Sequence, residues 1–238
     1  MISVAVETST ATGSVALFAN NKLLGEKTWS RDGSHSEFLT DCFSQLLNEH
    51  KILATAVQRV AVGVGPGSFT GVRVAVNFAR ALAFANSAKV YCLNSLELLA
   101  LQPSLQNHVG RLSVVQFGFR DIVYAATYEQ KLVEGRAQVF ELEKPAALTA
   151  ESLELKLNDA HLVIGDATTR LSARFSPEFL AKCLRQSNVR DIPMASDFVN
   201  SAFFMSNPTL TDWIHTIPLY IRASEAEEKL KRGLLTPS

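Results

Sequence analysis

The first part of the chain contains three short runs rich in apolar residues, and the first of them alternates between apolar and polar residues. The runs are ISVAVETS, GSVALFAN and KLLGEKTWS, and the turns between them contain TATG and NN. Alternation with a period of two, interrupted by Gly, Asn and Thr, is typical of β-strands joined by tight turns. The pattern predicts that the chain begins with a three-stranded meander.

Further along, the apolar residues recur with the period of a helix. In SHSEFLTDCFSQLLNEH they share one face, and Ser34 followed by Glu37 matches a capping box. The next helix, SFTGVRVAVNFARALAFANSA, is apolar or small around most of its circumference. Its one narrow polar stripe consists of Thr70, Arg73, Asn77 and Arg80. With the strands RVAVGVG and AKVYCLN and the short helix SLELLALQPS, the predicted order is βββαβαβα.

The second half of the chain partly repeats this order. RLSVVQFGF, DIVYAATYE and AQVFELE are predicted strands, TAESLELKLN a helix and HLVIGDA a strand, followed by helical or irregular chain to about residue 216. The fold class is therefore α/β with mixed sheets. A repeated βββαβ unit predicts two related subdomains, residues 1–105 and residues 106–238.

Charge and composition limit the partners that the chain can attract by itself. Lys plus Arg and Asp plus Glu both number 23, so no basic field draws the chain to nucleic acid or to a membrane. An RNA partner would have to be shared with another protein. No run approaches the roughly 20 apolar residues of a membrane span, and the first residues resemble a strand rather than a signal peptide. A cytoplasmic protein is expected.

Cysteine and histidine spacing gives no metal site. Three cysteines without a CxxC pair are expected to be buried thiols. The five histidines contain no HExxH and no pair at i, i+4 spacing, so each is expected at the surface or as a helix cap.

The end of the first strand is one candidate for ligand binding. In VETSTATGSVAL, a strand ends in an acid and small residues turn into the next strand, which places Glu7, Thr8 and Ser9 at the mouth of the sheet. In an actin-like or sugar-kinase-like fold this turn approaches nucleotide phosphates. An ordinary polar hairpin turn explains the same residues equally well.

The loop GPGSFTG is a second candidate. It matches neither the P-loop, since no Gly-Lys-Ser/Thr follows, nor GxGxxG. Backbone N–H groups of Gly65, Gly67 and Ser68 at a helix N-terminus could still bind an anion, although Ser68 is also a natural N-cap for the same groups. The residues favour a structural turn over a phosphate site.

The helix after this loop carries a ridge of small residues. Gly71, Ala75, Ala79 and Ala83 recur every four residues and allow another element to approach closely. Internal packing is one interpretation, and a subunit interface shared with the preceding helix is the other. The residues predicted for such an interface are Phe38, Leu39, Cys42, Phe43, Leu46, Val72, Ala75, Val76, Ala79 and Ala83.

Taken in order, several motifs resemble one family. VETSTATGSVAL, SHSEFL, VGVGPGSFTGVRVAV followed by ARALA, NSLELLA, VYAATYE and PLYIRA closely resemble the TsaB (YeaZ) family of bacterial tRNA threonylcarbamoyladenosine biosynthesis. The resemblance is dense over residues 1–105 and thin afterwards, and GPGSFTGVR is its specific signature. One departure is FGFRDIVY, which stands where the family usually has an Asp-Ala-Arg pattern before Val-Tyr.

The resemblance implies an actin-like ATPase (ASKHA, ribonuclease H-like) fold and a subunit without catalytic residues. Its partner would be a TsaD-like subunit that transfers threonylcarbamoyl to N6 of the adenosine next to the anticodon, assisted by a TsaE-like ATPase. Ser95 and Leu99 stand where TsaD proteins carry two metal-binding histidines, so no metal is expected here. No cofactor is expected on this chain alone. ATP or ADP and a metal are expected on the partner subunits, and tRNA contact only through the complex.

Two alternatives remain open from the residues. One is an enzyme of the same superfamily, a small-molecule phosphotransferase or a peptidase. Glu7 could serve a phosphotransferase as one carboxylate, but Phe117 occupies the position expected for a second. The other is a homodimer formed by the chain alone through the same helices.

Overall fold

Two β-sheets and six α-helices form the described part of the chain in a computed structural model, which covers residues 1–30, 35–133, 135–157, 162–183, 188–204 and 208–221. The strands are β1 Ile2–Glu7, β2 Thr12–Ala19, β3 Lys22–Ser30, β4 Val57–Gly63, β5 Lys89–Leu93, β6 Gly110–Phe117, β7 Ile122–Val133, β8 Arg136–Thr149 and β9 Leu162–Ile164. The helices are α1 His35–Glu49, α2 Phe69–Asn86, α3 Ser95–Ala100, α4 Ala150–Lys156, α5 Ala167–Arg170 and α6 Pro177–Lys182.

Both sheets are mixed, and they share one pattern of connections. The first sheet has the order β3-β2-β1-β4-β5, with the meander antiparallel and β4 parallel to β1 and to β5. The second has the order β8-β7-β6-β9, again an antiparallel meander with one parallel strand beside its first strand. The predicted α/β class with two related subdomains and mixed sheets is confirmed.

Successive side chains of the first sheet point to opposite faces, and each face carries an apolar layer. Val4 and Val6 of β1 face α1 and α2, whereas Ala5 faces the other side together with Phe198 and Phe203 from the last part of the chain. Both faces of the inner strands are covered, which explains why β1, β2 and β4 are mostly buried, whereas the edge strand β3 is largely exposed.

Helix α3 lies between the two sheets and packs on both. Leu98 belongs to the apolar layer of the first sheet, whereas Leu96 and Leu99 pack on Leu112 and Val114 of the second. A helix of only six residues can bury its side chains in two directions here because it has a sheet on either side.

Beyond the second sheet, the chain returns to the first one. The backbone N–H of Ala195 donates to Ser14 Oγ at 2.8 Å, and that of Ser196 donates to Glu26 Oε1 at 2.8 Å. Thr211 then forms an isolated bridge to Val90 of β5. The division at residues 105 and 106 stays a prediction, but these later residues pack on the sheet of the first subdomain.

Local predictions differ from the structure at a few element ends. The predicted strand AQVFELE continues through Pro145 to Thr149 because β8 is an edge strand, where a proline removes no inner hydrogen bond. The strand predicted as HLVIGDA is shorter, since Gly165 turns the chain and α5 begins at Ala167. The capping residue proposed at Ser34 lies outside the described residues.

Candidate functional site

Glu7, the last residue of β1, is a fully buried carboxylate. Its Oε1 accepts from the backbone N–H of Ser9 at 2.5 Å, and its Oε2 accepts from the Ser95 hydroxyl at 2.8 Å. Burial raises the pKa of Glu7, and the hydrogen bonds from Ser9, Ser95 and Thr8 act in the opposite direction. The carboxylate therefore ties the end of β1 to the first residue of α3.

The glycine loop between β4 and α2 is bound to the same residues. The N–H of Ser68 donates to the Ser9 carbonyl at 2.7 Å, and the N–H of Gly71 donates to Ser68 Oγ at 3.2 Å as an N-cap. At the other end of the loop, Gly65 N–H donates to Ser95 Oγ at 3.2 Å, and Ser95 N–H donates to the Gly65 carbonyl at 2.8 Å. These backbone donors already have acceptors within the chain.

Two glycines allow the loop to lie directly against the β1–β2 turn. A Cβ at Gly67 would lie 2.2 Å from the Ser9 carbonyl oxygen, and one at Gly71 would lie 2.0 Å from the Thr8 carbonyl oxygen. Both distances are far shorter than a real carbon–oxygen contact, so only glycine fits. Thr8 Oγ1 also donates to the Gly71 carbonyl at 2.7 Å, which joins the turn to the first residues of α2.

All six residues predicted for nucleotide contact lie together at this point: Glu7, Thr8, Ser9, Gly65, Gly67 and Ser68. Several of their hydrogen-bonding groups bind one another, Ser95 or Gly71 in the contacts described above, whereas the buried hydroxyl oxygen of Ser9 has no hydrogen-bond partner among the described residues. The loop thus serves the close packing of three segments. Nucleotide contact here stays a prediction.

Ser95 and Leu99, which stand where TsaD proteins carry metal-binding histidines, direct their side chains to different parts of the structure. Ser95 faces Glu7, whereas Leu99 is fully buried against the second sheet and offers no ligand atom. Across the described ranges, no cluster of three or more His, Cys, Asp or Glu side chains is close enough to hold a metal ion.

The residues predicted for a partner interface lie mostly inside the chain itself. Phe38 and Cys42 are half-buried, and the other members of the set are buried in the core beneath the first sheet. These are Leu39, Phe43, Leu46, Val72, Ala75, Val76, Ala79 and Ala83. The small-residue ridge packs on the sheet, which corrects the choice of side chains. It stays a prediction that α1 and α2 form the interface with a partner. Their exposed side chains would then make the contact.

The polar stripe on α2 predicts part of the face that this helix exposes. Thr70, Arg73 and Asn77 are exposed as that stripe requires, and the face continues through Ala81 to Phe84, whose side chain is 65% exposed. The exposed side chains of α1 are Ser36, Glu37, Thr40, Asp41, Ser44, Gln45, Asn48 and Glu49.

Residues 211–221 run beside this face, which sequence reasoning missed. The ring of Trp213 lies 5.1 Å from that of Phe84, and Tyr220 stacks on Phe69 at 5.2 Å. Arg73 lies 3.8 Å above the Phe69 ring and donates from Nε to the Tyr220 hydroxyl at 2.7 Å. The aromatic residues of DWIHTIPLY indicated that this segment packs on another element, but the sequence pattern does not reveal which helix they contact.

A second acid, Glu97, is half-buried where α3 meets the second sheet. Burial, and then the charge of Glu141, raises the pKa of Glu97 to about 7. Asn94 caps the helix by accepting from Glu97 N–H at 2.8 Å, and it also accepts from the Tyr128 hydroxyl at 3.0 Å. The sequence showed the acid, but not the carboxylate that faces it from another subdomain.

The shared topology of the two sheets and the loops at the ends of β1 and β4 define the class of protein. It is an α/β protein with the actin-like ATPase (ASKHA) fold, built from two related subdomains. Within the described part of the chain, no helix combines the length and the apolar character that crossing a membrane requires.

Comparisons with known proteins agree with this class. A family model described as TsaD, tRNA N6-adenosine threonylcarbamoyltransferase, matches residues 22–161, more than half of the chain. The chain is 28% identical to a tRNA threonylcarbamoyladenosine biosynthesis protein TsaB from Bacillus subtilis, over 96% of this chain and 97% of that protein. YeaZ from Pseudomonas aeruginosa superposes with a TM-score of 0.74 at 25% identity, covering 92% of this chain and 99% of that chain. The chain belongs to the family of the TsaD model, and its full-length similarity places it with the TsaB (YeaZ) proteins.

Proposed function

We propose that this chain is a non-catalytic subunit in the biosynthesis of threonylcarbamoyladenosine in tRNA. It pairs with a TsaD-like transferase subunit and activates it, with a TsaE-like ATPase acting on the pair. The main support is the similarity to a TsaB protein along nearly the whole of both chains. In this proposal tRNA, ATP or ADP and a metal bind to the complex or to the partner subunits, and the chain works in the cytoplasm.

The loop geometry supports a role without chemistry of its own. A catalytic or metal-binding carboxylate has to be reachable by its substrate or ion. Glu7 is instead fully buried, and its two oxygens accept hydrogen bonds from Ser9 and Ser95. The activation is therefore assigned to binding, through surfaces that the partner can reach.

A phosphotransferase, the alternative considered from the sequence, lacks support from the second sheet. At the position of the missing carboxylate, the Phe117 ring lies under the Arg170 guanidinium at 4.0 Å, and the Phe117 N–H donates to Asp166 at 2.7 Å. Nucleotide hydrolysis by the isolated chain would favour this enzyme over the subunit.

The partner surface is assigned to the exposed faces of α1 and α2. On α2 this face includes Arg73, Asn77, Ala81 and Phe84. An exposed phenylalanine beside the half-buried ring of Trp213 is typical of a protein interface, in which aromatic residues and arginine carry much of the binding energy.

Two alanines on α2 provide a matched test of this surface. Ala81 is exposed, whereas Ala79, two positions earlier, is fully buried. We expect Ala81→Glu to fold normally but to lose co-purification with a co-expressed TsaD-like subunit. Ala79→Glu is expected to lose the folded chain itself, because it buries an unpaired charge.

Circular dichroism and thermal unfolding of each isolated variant separate the two effects. A folded Ala81→Glu chain that still binds the partner at the affinity of the unmodified chain would contradict the assigned surface.

A further inference from the structure

His35, the first residue of α1, is buried and has a hydrogen-bond partner on each ring nitrogen. Its Nδ1 lies 3.0 Å from the indole Nε1 of Trp29 on β3, and its Nε2 lies 3.0 Å from the Thr10 carbonyl oxygen in the β1–β2 turn. An indole N–H can only donate and a carbonyl can only accept. The partners therefore select the neutral imidazole with its proton on Nε2.

The same contacts join three segments of the first subdomain. Trp29 is held over Gly13 of β2, where a Cβ would lie 2.4 Å from the indole ring. His35 then connects this ring to the turn that follows Glu7 and to the start of α1. The first turn of α1 thus depends on one titratable side chain.

Burial is the main influence on the pKa of His35. Burial lowers the pKa of His35, and the Thr10 carbonyl acts in the opposite direction. Thr10 and Gly13 have no ionisable side chain. Lys27 on β3 is paired with Glu49 at the far end of α1, at 2.6 Å. On α1 itself, the nearest acids along the chain are Glu37 and Asp41. Among the described residues, no charged side chain contributes to the shift of His35.

We propose that neutral His35 is a positioning residue that holds the start of α1 against Trp29 of β3 and the β1–β2 turn, and that its protonation breaks the contact with Trp29, loosens this end of the helix and weakens partner binding. An imidazolium would direct an N–H from Nδ1 at the indole N–H, so the contact with Trp29 must break, whereas Nε2–H can still donate to the Thr10 carbonyl. The proposal rests on the proposed function only for its second part, since α1 belongs to the assigned partner surface.

The expected direction with pH follows from the linkage between protonation and folding. The pKa of His35 is lower in the folded chain than its ordinary value of 6.5. Its contribution to stability is therefore fully present above pH 6.5 and is lost as the pH falls below that value.

The first test uses the isolated chain. Trp213→Phe leaves Trp29 as the one tryptophan of the two in the sequence. Emission of Trp29 and amide exchange in the first turn of α1 are measured from pH 8 to pH 5. We expect a one-proton transition below pH 6.5 in both signals. His50→Gln, at the other end of α1, should keep this transition.

His35→Gln is the decisive variant. Its amide can accept from the indole and donate to Thr10 without titrating, so the transition should disappear while the fold is kept. The same transition in a folded His35→Gln chain would overturn the proposal. Trp29→Phe provides a second test that does not depend on His35→Gln. It removes the donor to His35 Nδ1, which favours the neutral imidazole, so the transition in amide exchange should move to higher pH. A transition that stays in place would also count against the proposal.

Partner binding tests the second part. Between pH 7.5 and pH 5.5, we expect the affinity of the unmodified chain for the TsaD-like subunit to fall severalfold, with about tenfold as the limit that a difference of one pKa unit sets. The affinity of His35→Gln should change much less. Identical pH profiles would overturn the link to the partner. If neither chain binds at any pH, the proposed function is contradicted, and fluorescence and exchange still decide the role of His35.

Discussion

Glu97 is a carboxylate in a setting that favours its neutral form. It is mostly buried at the start of α3, faces the charge of Glu141, and has a pKa of about 7 rather than its ordinary 4.5. The folded chain therefore binds this proton more tightly than the unfolded chain does. The resulting stability is fully present below pH 4.5 and is lost as the pH rises through about 7.

Replacing this acid should remove that dependence. We expect Glu97→Gln to raise the free energy of unfolding at pH 8 by roughly 1–3 kcal/mol and to have little effect at pH 5. Denaturant unfolding at the two pH values measures the difference. Glu151→Gln, an exposed acid on α4, is the matched control. An equal effect of Glu97→Gln at both pH values would contradict the account of this residue.

On helix α2, the spacing of small residues predicts close packing but does not predict which segment packs there. Small residues every four positions indicated a close approach, and the structure shows that Gly71, Ala75 and Ala79 approach the chain's own β-strands and turn. A helix approached by a partner would show the same spacing. The pattern alone could not separate the two, because the neighbour of the ridge is distant in sequence.

Gly71 provides the test at this scale. Since a Cβ there would lie 2.0 Å from the Thr8 carbonyl oxygen, Gly71→Ala has to move the helix or the turn. We expect a loss of about 2–4 kcal/mol in the free energy of unfolding, at the upper end of overpacking. Thr70→Ala, one residue earlier and exposed, should change stability by less than about 0.5 kcal/mol. A loss as small for Gly71→Ala would mean that the loop is not packed as described.

At the scale of the whole molecule, the meanders, the parallel strands and the fold class could be predicted, because strand alternation and element order are local in the sequence. The helix between the sheets and the return of residues 195–204 and 208–219 to the first sheet could not. Those depend on contacts such as Ala195 with Ser14 and Leu219 with Val64, which join distant parts of the chain. The six residues at the ends of β1 and β4 lie together, and nucleotide contact there stays a prediction, whereas Ser95, which binds them, was considered only for a metal.

Two sheets joined through α3 and the returning chain form a scaffold whose buried polar groups largely bind one another. Such a scaffold can act on a reaction by positioning a partner. It has little to offer a substrate by itself at the Glu7 loop, where the carboxylate is fully buried and binds Ser9 and Ser95.

The most direct test of this account is reconstitution of threonylcarbamoyladenosine formation on tRNA. The reaction would contain the TsaD-like subunit, the TsaE-like ATPase and the small-molecule substrates, with this chain present, absent, or replaced by the folded Ala81→Glu variant. Modified adenosine is quantified by mass spectrometry of digested tRNA. The account predicts product only with the unmodified chain, and none from this chain without the TsaD-like subunit. Equal product with and without the chain would contradict it.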